Sequence, residues 1–536
     1  MSAPARRPGS ALLPFAAALG LALIPCAYTP LNSDLGWTLR EGQRIVLHGA
    51  IATRNALSFT DPRHPVISYQ WLFSALAYLV HRSQGAAGLI LLKWLTLFVT
   101  VAAMAGAVSA VAKHPLARLV ALGVTAPLLG AGLLFVRSQM FTYAFVPLVA
   151  WAVLSEKRWA LWALVPLLAL WANLHGGFML GLALVFAMSG ALWLESRSIF
   201  EWRQLVPRRL RVPGRSGRGT SPRLPEPMEG RSALPTRELV AIPVAAALAT
   251  LANPFGWRLH LAAIALTRDP GRSLDHEWTP LWRLHALIPA EWEALAVLVL
   301  ALALALVFLP KTKLRLWVLC ALLVLTPTAE RHLRLVPVLA APVLAAAFET
   351  AIARASDKLR DQLVRPVMLA SVAVAVATFA LFATSLPRSL RFHGFPPPNP
   401  APAIDVLRLN HLSGNVWNDF NWGGLLQWAA PEVRVACDGR FDQAYSERVR
   451  REVMRFGYDD RDPLRTLERY GADLVLLPAT NPAIALIANT YRPLYCGEGV
   501  CLLSRRADQL ALAEHGLLRL PPARSTPESF FDAPNP

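Results

Sequence analysis

Charged residues are scarce in this chain of 536 residues: they make up 16% of the total, while 54% are hydrophobic. Soluble proteins contain about 25% charged residues and about 45–50% apolar ones. The scarcity of charge therefore excludes an ordinary soluble protein. Several uncharged segments approach the roughly 20 residues that a helix needs to cross a bilayer. The composition predicts an α-helical, polytopic membrane protein.

Acidic residues are also few, with 35 Asp and Glu against 53 Lys and Arg, which gives a formal net charge of +18. A basic excess indicates nucleic-acid binding only when the charge gathers on a folded face. Here much of it lies in short loops between apolar segments, as expected of the cytoplasmic loops of membrane proteins. We therefore expect no nucleic-acid partner.

The chain has no clear small-x-small cleavage site after its first apolar run, which is longer than the core of a usual signal peptide. We interpret this run as a retained first helix that ends at Pro30. The five cysteines are too few for a disulfide framework. Cys496 and Cys501 flank "GEGV", a tight turn between two short strands, where either a disulfide or two free thiols is compatible with the sequence.

The remaining apolar runs predict about 11 transmembrane helices within residues 1–387, with a first outer loop at 31–70. The apolar run at 71–80 is too short to cross a bilayer alone. We interpret it as an interfacial helix or as the lead into the next span. With a cytoplasmic N-terminus, every strongly basic loop falls on the cytoplasmic side, as the positive-inside rule requires. These loops contain Lys113 and Arg118, Lys157 and Arg158, the long 196–237 loop predicted to be disordered, Lys311, Lys313 and Arg315, and Arg354 to Arg365.

The composition changes after the proline-rich "HGFPPPNPAPAID" near residue 388. Short β-like runs such as "NVWNDF", "VRVACDG", "ADLVLLP" and "GVCLLSR" alternate with helical ones, which predicts a small α/β domain over 388–505. The topology places this domain outside the cytoplasm. Residues 506–536 are predicted to form a flexible tail.

Unusual polar residues collect on the predicted outer face. Each has a simple structural alternative: Arg137 can reach from a helix end to the interface, His175 can cap a helix, and Asp34 or Ser33 can cap the helix that follows. The cluster Arg331, His332 and Arg334 contradicts the positive-inside bias, so we expect it to bind a phosphate or an anionic lipid head group. The full candidate set is Asp34, Arg137, Asn173, His175, Arg258, His276, Glu277, Arg331, His332 and Arg334.

These motifs resemble the GT-C superfamily of membrane glycosyltransferases. The resemblance rests on Asp34, Trp37 and Gly42 in an acid-x-x-Trp-x-x-x-x-Gly pattern, followed in order by "ANLHGGF", "NPFGW", "EWTP" and "NDFNWGGLLQW…DGRFDQAY". More closely, the chain is similar to a bacterial branch of that superfamily with a small C-terminal soluble domain. The resemblance covers about residues 10–505 and implies a bacterial inner-membrane protein with its C-terminal domain in the periplasm.

The resemblance implies transfer of a sugar from a polyprenyl-phosphate carrier to a glycan, lipid or protein acceptor. Asp34 would act as general base or help to hold a divalent metal. Arg331, His332, Arg334 and Arg137 would contact the donor phosphate, and membrane lipids would surround the site. The glycines and aromatic residues of "NWGGLLQW" suit a tight turn packed on a strand, and equally a surface that binds a sugar. In "CDGRFD" we favour a structural ion-pair cluster of Asp438, Arg440 and Asp442.

This chain departs from the family pattern at two positions: Ser33 precedes Asp34, and Gln70 precedes Trp71, where acids are common in relatives. Both departures weaken the case for a metal, although Glu277 would compensate if it faced the site. Two other functions remain open. A flippase or transporter of lipid-linked sugars predicts internal repeats, which the sequence lacks. A catalytically inactive scaffold for envelope assembly would keep the fold without the chemistry.

Overall fold

A computed structural model of the chain describes residues 9–155, 157–196, 235–267, 334–355, 357–460, 462–522 and 524–532, with a few isolated positions between 292 and 303. Its N-terminal part is helical. The helices are α1 (Gly9–Ala27), α2 (Asp34–His48), α3 (Trp71–Val111), α4 (Pro115–Gly132), α5 (Gln139–Ser155), α6 (Arg158–Trp162), α7 (Leu164–Leu174), α8 (Phe178–Ser196), α9 (Thr236–Ala249), α10 (Trp257–Thr267), α11 (Val336–Arg354) and α12 (Asp357–Ser389).

Among the described residues, 3 helices are long and apolar enough to cross a membrane: Trp71–Val111, Val336–Arg354 and Gln362–Ser389. Of the shorter apolar helices, Leu12–Ala27 and Gln139–Ser155 pack beside them, and Phe178–Gly190 packs on Gln139–Ser155. The structure is therefore mostly helical and contains candidate membrane spans. The count of about eleven stays a prediction, because several proposed spans lie outside the described residues.

The short apolar run at 71–80 belongs to helix α3. The helix continues to Val111, and Gly85 interrupts it with φ 60° and ψ −148°. Glycine accepts this conformation because it has no Cβ. The run at 71–80 is thus the first part of a kinked helix that leads into the next apolar segment, which was one of the two interpretations of the sequence.

A small α/β unit follows the helical part. Its helices are α13 (Ala401–Leu409), α14 (Gly423–Ala429), α15 (Phe441–Ala444), α16 (Glu447–Arg455), α17 (Pro463–Tyr470), α18 (Ala483–Ile487) and α19 (Ala507–Glu514). Its strands are β1 (Gly414–Asn418), β2 (Val433–Val435), β3 (Leu474–Pro478), β4 (Arg492–Gly497) and β5 (Val500–Ser504), in the order β2-β1-β3-β5-β4. The first three are parallel, and β5 runs antiparallel to β3 and β4. A disulfide joins Cys496 to Cys501 across the β4–β5 turn.

Two local expectations differ from the structure. "NWGGLLQW", expected to be a tight turn, begins with a 3-10 turn and forms α14, because its glycines allow close backbone contacts rather than a reversal. The segment after 505, expected to be a flexible tail, forms α19 and then buries Phe531 completely against His81 and Trp428. Leu510 and Leu512 of α19 and Phe530 also pack against that core, so several apolar side chains hold this segment in place.

The first loop and the C-terminal unit form one continuous structure. Asn55 Nδ2 donates to the Ala444 carbonyl at 2.9 Å, and Phe59 N donates to the Val435 carbonyl at 3.2 Å. Ser446 N donates to Asp61 at 3.0 Å. The loop and the C-terminal unit therefore lie together at one end of the helical part. The compartment that this end faces stays a prediction.

Candidate functional site

A cleft of about 270 Å³ lies where the helical part meets the C-terminal unit. We call it the Asp34 cleft. Its walls come from the start of α2, the residues before α3, the turn before α5, the turn after α7, and two segments of the C-terminal unit. The lining residues are Ser33, Asp34, Trp37, Thr38, Tyr69, Gln70, Val136, Arg137, Ser138, Gln139, His175, Phe420, Asn421, Gly439, Phe441, Asp442 and Gln443.

The Asp34 carboxylate lies between an indole and a guanidinium. Trp37 Nε1 donates to Oδ1 at 3.1 Å, and Arg137 Nη2 lies 3.3 Å from Oδ2. The two charged side chains are 28% and 25% exposed, respectively. Trp37 follows Asp34 by three positions, so one helical turn brings the indole beneath the carboxylate. The acid and the tryptophan of the sequence motif therefore form one hydrogen-bonded unit.

The contacts of Asn32 bear on two structural alternatives: helix capping by Asp34 or Ser33, and an interfacial position of Arg137. Its Oδ1 accepts the backbone N–H of Asp34 at 3.1 Å and also Arg137 Nη2 at 2.9 Å. Ser33, in the N-cap position, makes no side-chain cap bond. Arg137 also lies over the Phe135 ring, at 5.1 Å from the centroid. Asn32 thus binds the helix start, and Arg137 is directed towards the Asp34 carboxylate.

His175 lines the cleft and has a defined tautomer when neutral. Its Nδ1 accepts the backbone N–H of Gly177 at 3.0 Å and lies 2.7 Å from Thr142 Oγ1. Because a backbone N–H only donates, the ring proton of the neutral imidazole is on Nε2. Trp171 Nε1 in turn donates to Thr142 Oγ1 at 3.1 Å. The "ANLHGGF" motif therefore builds a fixed imidazole donor into the cleft.

Glycines set the position of α2. A Cβ on Gly42 would lie 1.9 Å from the Ser74 carbonyl oxygen, and one on Gly36 would lie 2.1 Å from that of Gly424. Real Cβ atoms do not approach backbone so closely, so α2 packs directly on α3 on one side and on α14 on the other. The glycine of the acid-x-x-Trp-x-x-x-x-Gly pattern allows the first contact. These two contacts hold the start of α2, and with it Asp34, at the cleft.

The C-terminal unit supplies one wall of the cleft. A Cβ on Gly439 would lie 1.7 Å from Asp34 Oδ1, so the backbone of "DGRFDQ" touches the carboxylate. Phe420, Asn421 and Phe441 lie beside it. Asp442, expected in an ion-pair cluster with Arg440, lines the cleft as a second carboxylate. The signal for this wall was the "NDFNWGG…DGRFDQ" pattern, whose role depends on contacts across the whole chain.

Asp438 and Arg440 form the buried part of that motif. Both side chains are almost fully buried, and Arg440 Nη2 lies 2.6 Å from Asp438 Oδ2. Gln427 Nε2 and Tyr445 OH also donate to that oxygen, each at 2.6 Å. Burial raises the pKa of the Asp438 carboxyl, but the Arg440 charge and these hydrogen bonds outweigh burial and hold the pKa below its usual value. The pair links the two segments of the C-terminal wall.

Several predicted site residues lie elsewhere. Asn173 accepts from Trp71 Nε1 at 2.9 Å and donates to Ala252 O at 2.9 Å, so it joins three segments beside the cleft. Arg258 lines a separate cavity with Trp257 and Phe255. Arg334, near the start of α11, is not among the lining residues. Four candidates lie outside the described residues: His276, Glu277, Arg331 and His332.

Two carboxylates, those of Asp34 and Asp442, line the cleft. Among the described residues, no group of three or more His, Cys, Asp and Glu side chains is placed to bind one ion. Ser33 and Gln70, the two neutral residues at which the sequence departs from the pattern of the resemblance, both line the cleft. Glu277, the other acid considered for a metal, lies outside the described residues, and no step is assigned to a metal.

Comparisons with known proteins find likenesses among solved structures alone. No protein-family model matches the chain, and no curated protein matches it. The crystal structure of an oligosaccharyltransferase from Archaeoglobus fulgidus aligns with a TM-score of 0.48 and 11% sequence identity, over 94% of this chain and 75% of that chain. A likeness at this level establishes neither a shared fold nor a shared activity, so the function rests on the geometry of the cleft.

Proposed function

We propose that this chain is a membrane glycosyltransferase that moves a sugar from a polyprenyl-phosphate carrier to an acceptor hydroxyl on the periplasmic face. The observation that carries the proposal is the Asp34 carboxylate, which borders the cleft beside Arg137 and lies where the helical part meets the C-terminal unit. A carboxylate within hydrogen-bond reach of a hydroxyl is a suitable general base.

In the proposed reaction, the acceptor oxygen attacks the anomeric carbon of the sugar while its proton passes to Asp34. The bond between the anomeric carbon and the phosphate oxygen breaks, and its electron pair stays on the phosphate. The products are the glycosylated acceptor and the polyprenyl phosphate, and Asp34 then loses the proton to water. General-base assistance of this kind contributes about 10²–10⁴ to a rate.

Cationic and donor groups are proposed to stabilise the phosphate as it departs. Arg137 brings a permanent positive charge into the cleft, and the proton on His175 Nε2 provides a neutral donor. Preorganised donors of this type stabilise charge that develops in the transition state. Arg331, His332 and Arg334 stay in the proposal as further cations for the carrier phosphate.

The remaining walls suit a sugar. Trp37, Tyr69, Phe420 and Phe441 give the cleft aromatic surfaces, while Asn421, Gln139 and Gln443 give it amide groups. Small-molecule sites typically combine aromatic walls with a few convergent polar groups. The donor and the product are both lipid-linked, so a cleft next to helices that can span a membrane is accessible to them.

The test compares wild-type protein with Asp34→Asn and Asp442→Asn variants in lipid nanodiscs. Each is given a panel of radiolabelled polyprenyl-phosphate sugars and a membrane fraction as the acceptor source, and loss of label from the carrier is measured. We expect Asp34→Asn to lower the rate by about 10²–10⁴, whereas Asp442→Asn keeps most of it. Equal rates for wild type and Asp34→Asn would remove Asp34 as the base. No transfer by wild type from any carrier would contradict the function itself.

A further inference from the structure

A second cavity, of about 370 Å³, lies along the later turns of α2, between that helix, the loop at 56–57 and the segment from α14 to β2. We call it the arginine cavity, after Arg40, Arg44 and Arg434, which line it together with His48. It shares no lining residue with the Asp34 cleft. Asp34 and Arg44 are ten residues apart on one helix, which corresponds to about 15 Å along its axis.

The charges of this cavity are all of one sign. Arg40 and Arg44 are one helical turn apart and therefore lie on the same face of α2. Arg434 faces them from β2. No Asp or Glu is among the lining residues. The acid nearest to Arg434 in sequence, Glu432, lies 3.3 Å from His411 Nδ1.

Neutral hydrogen-bond partners do not neutralise the positive charge of the arginine cavity. Arg40 Nη1 donates to Gln43 Oε1 at 2.6 Å, which is a bond to an amide rather than to a carboxylate. Burial, and then the neighbouring Arg44 charge, lowers the pKa of the Arg40 guanidinium. Like charges one turn apart destabilise a helix. The arrangement therefore costs stability in the protein alone and would be relieved by an anion between the arginines.

The residues that line the cavity indicate which kind of anion would bind there. Guanidinium groups match phosphoryl oxygens in paired hydrogen bonds, which favours a phosphate. Part of the remaining wall is apolar and consists of Leu57, Pro431, Val433 and Leu47, the last of which is 51% exposed. A phosphate ester would place its charge at the arginines and its organic part on this apolar wall.

We propose that the arginine cavity binds a phosphate ester, with Arg40, Arg44 and Arg434 contacting the phosphoryl oxygens. This binding does not depend on the glycosyltransferase function. The ester comes either from an anionic lipid head group or from a soluble phosphate, and the two sources are distinguished by the probes described next.

The test uses the intact protein in phosphatidylcholine nanodiscs. Soluble glycerol 1-phosphate is titrated by calorimetry, and phosphatidylglycerol is added to the nanodiscs and its retention measured by native mass spectrometry. The variant Arg40→Gln/Arg44→Gln is compared with Arg63→Gln/Arg391→Gln, which removes the same charge from two exposed positions. We expect the first variant to bind at least about tenfold more weakly and the second to bind like wild type.

Binding of glycerol 1-phosphate identifies a soluble ligand, and binding of phosphatidylglycerol alone identifies a lipid head group; either result supports the site. Arg434→Gln, on an exposed strand position, provides a second variant if the α2 variant does not fold, with an expected loss of about three- to tenfold. Equal weakening in the Arg63→Gln/Arg391→Gln control, or no binding of either probe to wild type, would overturn the proposal.

Discussion

Two aspartate–arginine pairs lie close together in this molecule, and their surroundings differ. Asp34 and Arg137 border an open cleft, with 3.3 Å between charged atoms and about a quarter of each side chain exposed. Asp438 and Arg440 are 2.6 Å apart and almost fully buried, and further donors from Gln427, Tyr445 and the backbone of Arg440 complete the Asp438 carboxylate. The same two residue types thus form a candidate site in one place and a structural element in the other.

The difference teaches that the number of donors and the burial decide the role of a charged pair. A buried carboxylate surrounded by fixed donors has no room for a substrate, and removing one partner leaves the other charge unpaired in a low dielectric. A partly exposed carboxylate at a cleft adds little to stability but can meet a substrate. The two pairs should therefore respond in opposite ways to substitution.

The largest expected effect is on stability at the buried pair. Asp438→Ala leaves the Arg440 charge without its partner, and we expect it to lower the free energy of unfolding by about 3–5 kcal/mol. Cys437 next to it is a buried free thiol and reports opening of this region. In a background with Cys26 and Cys320 replaced by Ala, Asp438→Ala should strongly increase the rate at which maleimide labels Cys437. Each rate is expressed relative to the labelling rate of the denatured chain. An unchanged labelling rate would contradict the structural role of the pair.

The next effect is on activity at the contact between the two pairs. Gly439→Ala places a Cβ where Asp34 Oδ1 now lies, so it must displace the carboxylate. A misplacement of about 1 Å can cost a factor of about 10² in rate, and we expect a loss of about tenfold to a hundredfold in sugar transfer. Gly123→Ala, whose Cβ would meet nothing within 4 Å, is the matched control and should keep full activity. Equal activities would show that the wall does not touch the site.

The free energy of unfolding should also depend on pH, because a further carboxylate, that of Glu41, lies near the buried Asp438–Arg440 pair. Glu41 is buried, accepts from Ser74 Oγ at 2.8 Å and feels the Arg440 charge; burial raises the pKa of its carboxyl above the usual value. Above the unfolded pKa of about 4.3, the unfolded chain releases this proton while the folded chain keeps it. Stability therefore falls as pH rises from there to the folded-state pKa, by up to about 1.4 kcal/mol per pH unit.

Glu41→Gln should remove this decrease of stability with rising pH. Thermal unfolding of wild type and variant in detergent, measured from pH 4 upwards at about half-unit steps, should show the variant gaining relative stability with pH and then levelling off. Parallel curves for the two proteins would mean that Glu41 titrates in the folded state as it does in the unfolded one.

The smallest expected effect is on stability at the cleft pair. Asp34→Asn removes a partly exposed ion pair, which contributes about 0–1 kcal/mol. Its thermal unfolding should therefore resemble that of Arg451→Gln, which breaks the exposed Arg451–Glu447 pair on α16. A loss as large as that of Asp438→Ala would mean that Asp34 is mainly structural and would break the contrast between the two pairs.

Much of the local structure was predictable from the sequence. The short β-like runs of the sequence coincide with β1, β2, β3 and β5, and helices lie among them as predicted. The spacing of Asp34 and Trp37 identified residues that are one helical turn apart in the structure. Such features depend on neighbours within a few residues, which a sequence displays directly.

What the sequence left out depends on contacts between distant segments. Nothing near Gly439 indicates that Asp34 lies against it, and nothing near Asp442 indicates the cleft. Asn173 has the residue type of a ligand-binding group, yet its amide joins α7 to Trp71 and Ala252. The burial of Phe531 was missed because two adjacent aromatic residues, Phe530 and Phe531, give no periodic signal.

The contact between the first loop and the C-terminal unit has a consequence for the newly made chain. Asn55 and its partner Ala444 are separated by 389 positions, a length that ribosomes translate in roughly 20 to 80 seconds. During that interval the first loop has been synthesised, while Gly424 and Gly439 do not yet exist. The proposed transfer therefore cannot begin before synthesis is nearly finished, and a chain released early would carry its acid without the wall that shapes the reaction.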